Sequence, residues 1–342
     1  MIGPWCSYNG SLIPIDKAVI PVDDINFSYG FGVYETLKVR NRVLFFPFLH
    51  EERLFHSARV IGLEHPFQKG EIVRGILELA QANRTEQANI KVLLIGGDSL
   101  EHTRLYIMTL NPLFPDRRDY KQGATALIYP GERVFPEAKT LNMLVSTLAL
   151  RAARREGAYD AVLQDREGRL TEGTRTNLFF TDGERVYTPP RGQVLEGVTK
   201  ITLSEALQLE GIPVEEKELR ATEVPSQQGI FLTSTSTKVM PLRKLGLHNL
   251  TISPLIRRIM KVYDGYLEEY AHTFGNLTIT GYNSSLGNKS FKEKKERKDN
   301  NGNPIGYLNG LNLNSDLVDK DKWTVDLIKA RTDKLVKEIL EM

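Results

Sequence analysis

The stretch "AKTLNMLVSTLALRAARREGAYDAVLQDREGRLTEGTRTNLFF" (138–180) decides the fold of this chain. Apolar residues at helical spacing predict an amphipathic helix over 142–157, which a glycine ends. Two apolar runs, "AVLQD" and "NLFFTD", then predict strands that flank the turn-rich segment "GRLTEGTRTN". Lys139 precedes the helix, and Glu172 lies in the turn-rich segment. An amine and an acid placed on either side of a helix in this way suggest one shared ligand.

Three other segments carry the groups that a phosphorylated ligand needs. The segment "LEGVTK" begins a predicted helix, so the backbone N–H groups of Val198 and Thr199 and the Thr199 hydroxyl favour an anion. The turn "TSTST" adds hydroxyls and N–H groups, led by Thr235 and Ser236. Arg53, within "HEERL", supplies a guanidinium that can pair with phosphate in a bidentate manner. Together these groups predict a phosphate-binding site.

The rest of the chain alternates predicted strands and helices, which is the pattern of an α/β (α+β) protein. Apolar runs predict strands over 17–22, 33–39, 43–46, 90–97 and 103–110. Helical spacing predicts helices over 48–63, 69–83, 197–211 and 253–271. The segment 111–123 is rich in charged residues and proline, which is typical of an interdomain linker. We therefore expect an N-terminal small α/β domain over 1–115, a larger domain over 116–271 and an appended segment over 272–342.

The composition is that of an ordinary globular protein. Of the 342 residues 41% are hydrophobic and 26% charged, and the net charge is +2, so no strong field favours nucleic-acid or membrane partners. The first residues lack the pattern of a secretory signal, and no apolar run is long enough to span a bilayer. Cys6 is the lone cysteine, and the histidines show no metal-ligand spacing. We expect a cytoplasmic protein without a bound metal.

The order of these segments resembles the fold-type IV family of pyridoxal-phosphate enzymes, the class IV aminotransferases, over roughly residues 8–270. "FSYGFGVYETLKV" resembles the first-strand signature of that family, and "HEERLFHSA" resembles its phosphate-arginine helix. The stretch 138–180 resembles its lysine-to-glutamate core, and "TPPRGQVLEGVTK" and "FLTSTSTKVMPL" complete the series. The resemblance implies a two-domain fold with pyridoxal 5′-phosphate held between the domains.

The resemblance also implies a role for each candidate residue. Lys139 would bind the cofactor's aldehyde covalently and then move a proton between substrate Cα and cofactor C4′. Glu172 would pair with the pyridine nitrogen and keep it protonated. Tyr34 would line the substrate pocket. The cofactor would further be held by Arg53, Val198, Thr199, Thr235 and Ser236. In this family a loop of the partner subunit closes the pocket, so we expect a homodimer.

Two features of the sequence depart from the patterns of characterised family members. Branched-chain aminotransferases carry a tyrosine five residues after the lysine, where this chain has Leu144, and the local pattern looks more like D-amino-acid aminotransferases and 4-amino-4-deoxychorismate lyases. D-amino-acid aminotransferases trap the α-carboxylate with an Arg-x-His pair, whereas His102 and Arg104 are offset here. The residue that binds the α-carboxylate and the stereochemistry of the substrate are therefore open.

The leading hypothesis is an aminotransferase that acts between an amino acid and a 2-oxo acid such as 2-oxoglutarate. The apolar residues of "GVYETLKV" favour branched-chain or similarly apolar substrates. The alternatives within the family are a D-amino-acid aminotransferase and a lyase that releases 4-aminobenzoate. An alternative of another class is a nucleic-acid-binding protein that acts through the appended segment.

The appended segment resembles a different family. From about residue 272 the chain is rich in Asn, Lys and Gly, and its pattern resembles the C-terminal part of HNH-type modification-dependent restriction nucleases. The Asp-His-Ile element that supplies the catalytic histidine of those enzymes is not found upstream. We therefore expect no nuclease activity, and we expect the basic stretch 289–304 to be solvated rather than bound to nucleic acid.

Overall fold

The computed structural model describes residues 2–112, 114–271, 295–296, 330–331 and 334. The chain divides into two compact units, Met1–Asp264 and Gly265–Met342. The predicted appended segment, 272–342, therefore lies almost entirely outside the described residues. The architecture given below is that of the first unit and of the helix that ends at Ala271.

The strands are β1 (Trp5–Tyr8), β2 (Ser11–Pro14), β3 (Gly32–Arg40), β4 (Val43–Leu44), β5 (Ala88–Ile95), β6 (Arg104–Leu110), β7 (Ala124–Pro130), β8 (Asp160–Gln164), β9 (Leu170–Gly173), β10 (Asn177–Thr181), β11 (Val186–Thr188), β12 (Val214–Glu216), β13 (Gly229–Ser234), β14 (Lys238–Leu245) and β15 (His248–Asn249). The helices are α1 (Ile25–Ser28), α2 (Pro47–Val60), α3 (Glu71–Ala82), α4 (Arg117–Gln122), α5 (Leu144–Arg155), α6 (Val198–Leu209) and α7 (Pro254–Ala271). Within the described part of the chain, none of the helices has the length and apolar character needed to cross a bilayer.

The first sheet has six strands in the order β2-β1-β6-β5-β3-β4, and every neighbouring pair is antiparallel. The alternation of β3 explains its packing, because Val33, Leu37 and Val39 are buried on one face while Tyr34 and Lys38 on the other are only partly buried. Helix α2 covers the buried face of β3, and α3 packs against β1 and β6. Side chains between these helices and the sheet form the N-terminal core.

The second sheet has nine strands, in the order β12-β11-β10-β13-β14-β7-β8-β9 with β15 beside β14. Strand β9 also pairs with β10, so the strands from β10 round to β9 close into a ring. Strand β7 runs parallel to β8 because α5 connects the two strands as a crossover helix and packs back on them. Helix α6 packs on β13. The closed ring brings the turn-rich segment after β8 next to the start of β10.

The prediction of a strand over 17–22 is wrong. Ile15–Lys17 forms a 3-10 helix, and the following residues form no strand. Ala18 and Ile20 pack against the cluster of Cys6, Leu93, Ile95 and Tyr106, but the exposed fractions of Val19 and Val22 are 65% and 99%, and the run pairs with no strand. Apolar character alone does not make a strand when the segment lies outside the sheet.

The predicted linker 111–123 contains a short helix that the sequence pattern did not predict. Asp116 is its N-cap, and its side chain accepts a hydrogen bond from the Arg118 backbone N–H at 2.8 Å. An aspartate that begins a helix in this way satisfies one of the N–H groups left free in the first turn. The charged residues and prolines of this segment predicted a linker, although Asp116 is a helix-capping residue.

The hairpin of β1 and β2 was also not predicted. Asn9 and Gly10 form its turn, with φ of 45° and 81° respectively. Asn-Gly is a sequence favoured in two-residue hairpin turns because both residues tolerate positive φ. The signal was present in the sequence, but the strands beside it are short.

Candidate active site

A pocket opens between the two sheets, with about 530 Å³ of atom-free space, part of it open to solvent. Both halves of the first unit contribute to its wall. Of the residues singled out from the sequence, it is lined by Tyr34, Arg53, Lys139, Glu172, Val198, Thr199 and Thr235. Ser236 does not line it. Lys139 and Glu172 therefore share one pocket, as the sequence suggested.

Lys139 is held at the junction of the two halves. The Tyr34 backbone N–H donates to the Lys139 carbonyl at 2.9 Å, and the Lys139 N–H donates to the Ser57 hydroxyl at 3.0 Å. The Leu141 N–H then donates to the Gly32 carbonyl at 2.9 Å, so this segment runs along the start of β3. The Lys139 amine lies 4.6 Å from the centre of the Tyr34 ring. Its backbone is fixed while its amine reaches into the pocket.

Glu172 is a buried carboxylate on β9, and Arg133 is its ion-pair partner. The Arg133 Nη1 donates to Glu172 Oε1 at 2.8 Å, and the Leu195 N–H donates to Oε2 at 3.3 Å. Arg133 also donates to the carbonyls of Pro136 and Ala138. The guanidinium thus ties the loop that precedes the lysine to the carboxylate. Arg133 was not predicted, since no spacing rule links it to Glu172.

Arg53 lines the pocket, but its bidentate edge faces another acid. Its Nε and Nη2 donate to the two carboxylate oxygens of Glu35, both at 2.7 Å, and its Nη1 donates to the Glu196 carbonyl at 3.2 Å. Glu35 also contacts the His50 Nδ1 at 2.7 Å. The Nε and Nη2 edge of Arg53 is therefore taken by Glu35 rather than left for phosphate. A phosphate would meet the remaining N–H groups of the guanidinium.

The cluster of Glu35, His50 and Arg53 lies in the interior, where charge is costly. Burial alone would raise the pKa of Glu35, but the charges and hydrogen bonds of Arg53 and His50 hold that pKa well below its usual range. Burial lowers the pKa of His50, and the Glu35 carboxylate offsets this only in part. We infer a neutral His50 that donates Nδ1–H to an ionised Glu35. The Nε2 atom of His50 is buried and has no hydrogen-bond partner among the described residues.

The start of α6 lies at the pocket wall. Gly197 is its N-cap, and no side chain caps the helix. A Cβ at Gly197 would lie 1.9 Å from Asn177 Oδ1, and the Asn177 amide donates to the Leu195 carbonyl at 2.7 Å. This close approach requires glycine. The first-turn N–H groups of Val198 and Thr199 are therefore placed where a helix favours an anion.

The hydroxyl-rich turn between β13 and β14 borders the same pocket. Thr233 and Thr235 line it, and Thr233 Oγ1 is buried without a hydrogen-bond partner in the described part of the chain. Buried hydroxyls normally have a partner, so this one suits a ligand. The Ser236 carbonyl accepts a hydrogen bond from the Lys38 amine at 3.2 Å. The sequence analysis singled out Thr235 and Ser236 within "TSTST" but did not single out Thr233, the first residue of that segment.

The donor set of this pocket fits a phosphorylated pyridine ring. An uncapped helix start and the unpartnered Thr233 hydroxyl suit phosphate oxygens. Glu172 accepts few hydrogen bonds for a carboxylate, so it has lone pairs left for a protonated ring nitrogen. Lys139 supplies an amine on the same pocket. These are the groups that pyridoxal phosphate requires.

The positions that depart from the family's patterns lie outside this pocket. Leu144 is the first residue of α5 and is 66% exposed, while the neighbouring Met143 lines the pocket and accepts a hydrogen bond from the Tyr34 hydroxyl at 3.5 Å. Arg104 forms an ion pair with Asp24, and His102 contacts the Ser99 hydroxyl at 3.3 Å. Neither of those two basic residues lines the pocket.

Two family models match the chain. The model of GmrSD restriction endonucleases, C-terminal domain, matches residues 264–338, which confirms the resemblance seen in the appended segment. The model of amino-transferase class IV matches residues 32–245, which is more than half of the chain. Its range includes the segments that carry Arg53, Lys139 and Glu172.

Relatives and solved structures agree with the match to the amino-transferase class IV model. The D-alanine aminotransferase of Bacillus licheniformis is 27% identical over 248 residues, 70% of this chain and 87% of the relative. A probable branched-chain-amino-acid aminotransferase of Rickettsia conorii is 29% identical over 276 residues, 77% of this chain and 93% of the relative. The branched-chain amino acid aminotransferase of T.th., solved with pyridoxamine 5′-phosphate, has the same fold, at 24% identity and a TM-score of 0.71 over 78% of this chain and 94% of its own. The chain belongs to the class IV aminotransferase family.

Proposed function

We propose that this protein is a pyridoxal 5′-phosphate-dependent aminotransferase that moves an amino group between an amino acid and a 2-oxo acid. The observation that carries the proposal is the pocket shared by Lys139 and Glu172, whose wall also contains an uncapped helix start and the unpartnered Thr233 hydroxyl. A structural relative with this fold binds pyridoxamine 5′-phosphate, which supports the same cofactor here.

The described residues would hold the cofactor at three points. Its phosphate would meet the N–H groups of Val198 and Thr199, the hydroxyls of Thr233 and Thr235 and the remaining N–H groups of Arg53. Its ring nitrogen would meet Glu172. Its aldehyde would meet Lys139. Bound there, the cofactor supplies an electron-accepting ring and a carbon that exchanges amines.

The chain's own residues then direct the proton transfers. With the cofactor bound, Lys139 would accept the proton from substrate Cα and hold it near the cofactor, because its fixed backbone keeps the amine within reach. Glu172 would keep a proton on the ring nitrogen, and Arg133 fixes the orientation of that carboxylate. The Tyr34 ring, 4.6 Å from the Lys139 amine, covers one side of the reaction site.

We propose branched-chain or similarly apolar amino acids as substrates, with 2-oxoglutarate as the acceptor. Tyr34, Met143 and Leu195 place apolar surface on the pocket wall, and the relative in Rickettsia conorii is a probable branched-chain-amino-acid aminotransferase. The remaining apolar residues of "GVYETLKV" do not line the pocket, because Val33, Leu37 and Val39 face the N-terminal core.

A D-amino-acid aminotransferase is the second candidate within the family. The relative in Bacillus licheniformis is a D-alanine aminotransferase, and Leu144 replaces the tyrosine expected of a branched-chain enzyme. The lyase alternative would release pyruvate without a 2-oxo acid acceptor. A nucleic-acid-binding role through residues 272–342 stays a prediction that we do not favour, and those residues lie almost wholly outside the described part of the chain.

We further propose a homodimer that works in the cytoplasm. Several large apolar side chains are exposed in the segment 19–29, namely Val19, Val22, Ile25, Phe27 and Tyr29, with exposed fractions from 40% to 99%. Such a cluster of apolar surface is typical of a protein–protein interface. The buried, unpaired Cys6 is the lone cysteine of the chain, which accords with a reducing compartment.

An absorbance spectrum of the purified protein tests the cofactor assignment. The wild type should show the visible band of lysine-bound pyridoxal phosphate, and Lys139→Ala should lose it. Lys69→Ala changes an exposed lysine outside the pocket and should retain the band. A wild type that lacks the band even after addition of pyridoxal phosphate would rule out the proposal.

The assay for substrate class mixes the enzyme with leucine and 2-oxoglutarate and measures glutamate. Formation of L-glutamate from L-leucine supports the branched-chain assignment. Formation of D-glutamate from D-alanine supports the D-amino-acid alternative. Release of pyruvate from 4-amino-4-deoxychorismate, without glutamate formation in either mixture, supports the lyase.

A further inference from the structure

The pocket contains one cation that the proposed cofactor chemistry does not use. The basic residues that line it are Arg53, Arg133, Lys139 and Arg175. The first two are paired with carboxylates, and the third is assigned to the aldehyde. Arg175 is exposed and forms no hydrogen bond or ion pair with any of the described residues. A free guanidinium is thus available to a ligand in this pocket.

The turn that carries Arg175 is held by hydrogen bonds to the buried side chain of Asp160. Buried Asp160 accepts hydrogen bonds from the hydroxyls of Thr174 and Thr176, the latter at 2.9 Å, on either side of Arg175. A Cβ at Gly173 would lie 2.0 Å from Thr176 Oγ1, so the turn closes tightly. Burial raises the pKa of Asp160, and these hydroxyls and the charge of Arg175 offset this in part. The hydroxyls are committed to Asp160, which leaves the Arg175 guanidinium as the free polar group of the turn.

Both substrates of an aminotransferase carry a carboxylate next to the reacting carbon. A guanidinium binds a carboxylate with two parallel hydrogen bonds, which fix orientation as well as position. The basic residues that the sequence offered for this task, His102 and Arg104, do not line the pocket, and Arg104 is paired with Asp24. Arg175 follows Glu172 closely along the chain, so the ring-binding acid and the free cation belong to one segment.

We propose that Arg175 binds the α-carboxylate of the amino acid and of the 2-oxo acid, with Asp160 as the residue that positions its turn. The inference rests on the proposed function and adds the substrate's anion-binding residue to it. It also limits the substrates, because primary amines without a carboxylate would lack this contact. Asp160 acts through the two threonines and touches no substrate.

The test compares valine with isobutylamine, which is valine without its carboxylate. The full-length protein is loaded with pyridoxal phosphate, and the decay of its visible band is followed after addition of L-valine, D-valine or isobutylamine. With Arg175→Ala the second-order rate constant for the preferred valine enantiomer should fall about 10- to 100-fold, as expected for loss of a charge-assisted contact. The rate constant for isobutylamine should change by less than about 3-fold.

A binding measurement supplies a readout that does not depend on turnover. The dissociation constant of 4-methylvalerate, a carboxylate that carries no amino group, should rise by a similar factor in Arg175→Ala when it is titrated calorimetrically into the loaded protein. Arg175→Lys should recover part of the loss, because lysine keeps the charge but not the bidentate geometry. Arg151→Ala, an exposed arginine of α5 outside the pocket, should match the wild type.

The outcomes separate the two proposals. Equal losses for valine and isobutylamine, or unchanged binding of 4-methylvalerate, would overturn the assignment of Arg175 while the band still supports the aminotransferase. A wild type whose band responds to none of these amines would overturn the proposed function and this inference together.

Discussion

The buried acid Glu35 offers a sharp test of how Arg53 is held at the wall of the pocket. Glu35→Gln keeps the shape of the side chain but removes its charge and one of its two acceptor oxygens. Glu35 and Arg53 have side chains only 1% and 10% exposed, and two hydrogen bonds of 2.7 Å join them. His50 adds a third contact at 2.7 Å. The substitution therefore leaves a buried guanidinium without its counterion.

The expected loss follows from this geometry. Removing one partner of a buried ion pair typically costs about 3–5 kcal/mol. Glutamine can still accept one hydrogen bond, which is worth about 1 kcal/mol. We expect Glu35→Gln to lower the free energy of unfolding at pH 7 by about 2–4 kcal/mol. That is a large share of a typical folding free energy of about 5–15 kcal/mol.

The difference between the two proteins should also depend on pH. The folded-state pKa of Glu35 is depressed by Arg53 and His50, which outweigh the effect of burial. Its contribution to stability is therefore fully present above the unfolded-state pKa of about 4.3 and declines as the pH falls below it. The stability gap between wild type and Glu35→Gln should shrink between about pH 5 and pH 3.

Urea-induced unfolding followed by tryptophan fluorescence measures both effects, at pH 7 and at pH 4. Glu52→Gln is the matched control, since Glu52 is an exposed residue of the same α2 helix as Arg53, and it should match the wild type within about 0.5 kcal/mol. A loss of less than about 1 kcal/mol for Glu35→Gln, or a gap at pH 4 as large as that at pH 7, would refute the reasoning.

Three further substitutions test other parts of the pocket and the proposed interface. Thr233→Val removes a buried hydroxyl that lacks a partner among the described residues. Fluorescence titration should therefore show about 5-fold weaker binding of pyridoxal phosphate, with no loss of folding stability. Unchanged affinity would contradict a phosphate contact. Gly197→Ala places a Cβ 1.9 Å from Asn177 Oδ1. Thermal unfolding should show that the free energy of unfolding falls by about 1–3 kcal/mol. An unchanged free energy of unfolding would mean that the Asn177 side chain moves aside freely. Val22→Asp adds charge to a side chain that is 99% exposed, and light scattering should show monomers where the wild type is dimeric; dimers in both would place the interface elsewhere.

Much of the fold was predictable because its elements are long and periodic. The helix after Lys139 and the strands on either side of Glu172 appear where the sequence placed them, as α5, β8 and β10. Helical and alternating patterns are local properties, so one sequence reveals them. The closure of β9 onto β10 depends on pairing between strands and left no local signal.

The sequence predicted residues of the pocket whose type the proposed chemistry requires, but it did not predict the residues that hold them in place. The segments of Lys139 and Glu172 predicted two groups that now line one pocket, but the partner of each acid was not predicted. Arg133 reaches Glu172 from a loop whose path no periodicity describes. Glu35 did leave a clue, because it occupies a buried position in an alternating strand and so requires a basic partner.

The hydrogen bonds that hold Lys139 have a practical consequence. Its N–H and carbonyl groups are paired with Ser57 and Tyr34, which belong to the other half of the first unit. Lys139 is thus held by residues that lie before position 60, far from it in sequence. Two polypeptides made by severing the backbone between β6 and β7 should each be inert, and mixing them should regenerate a working catalyst, which is the basis of a split-enzyme reporter.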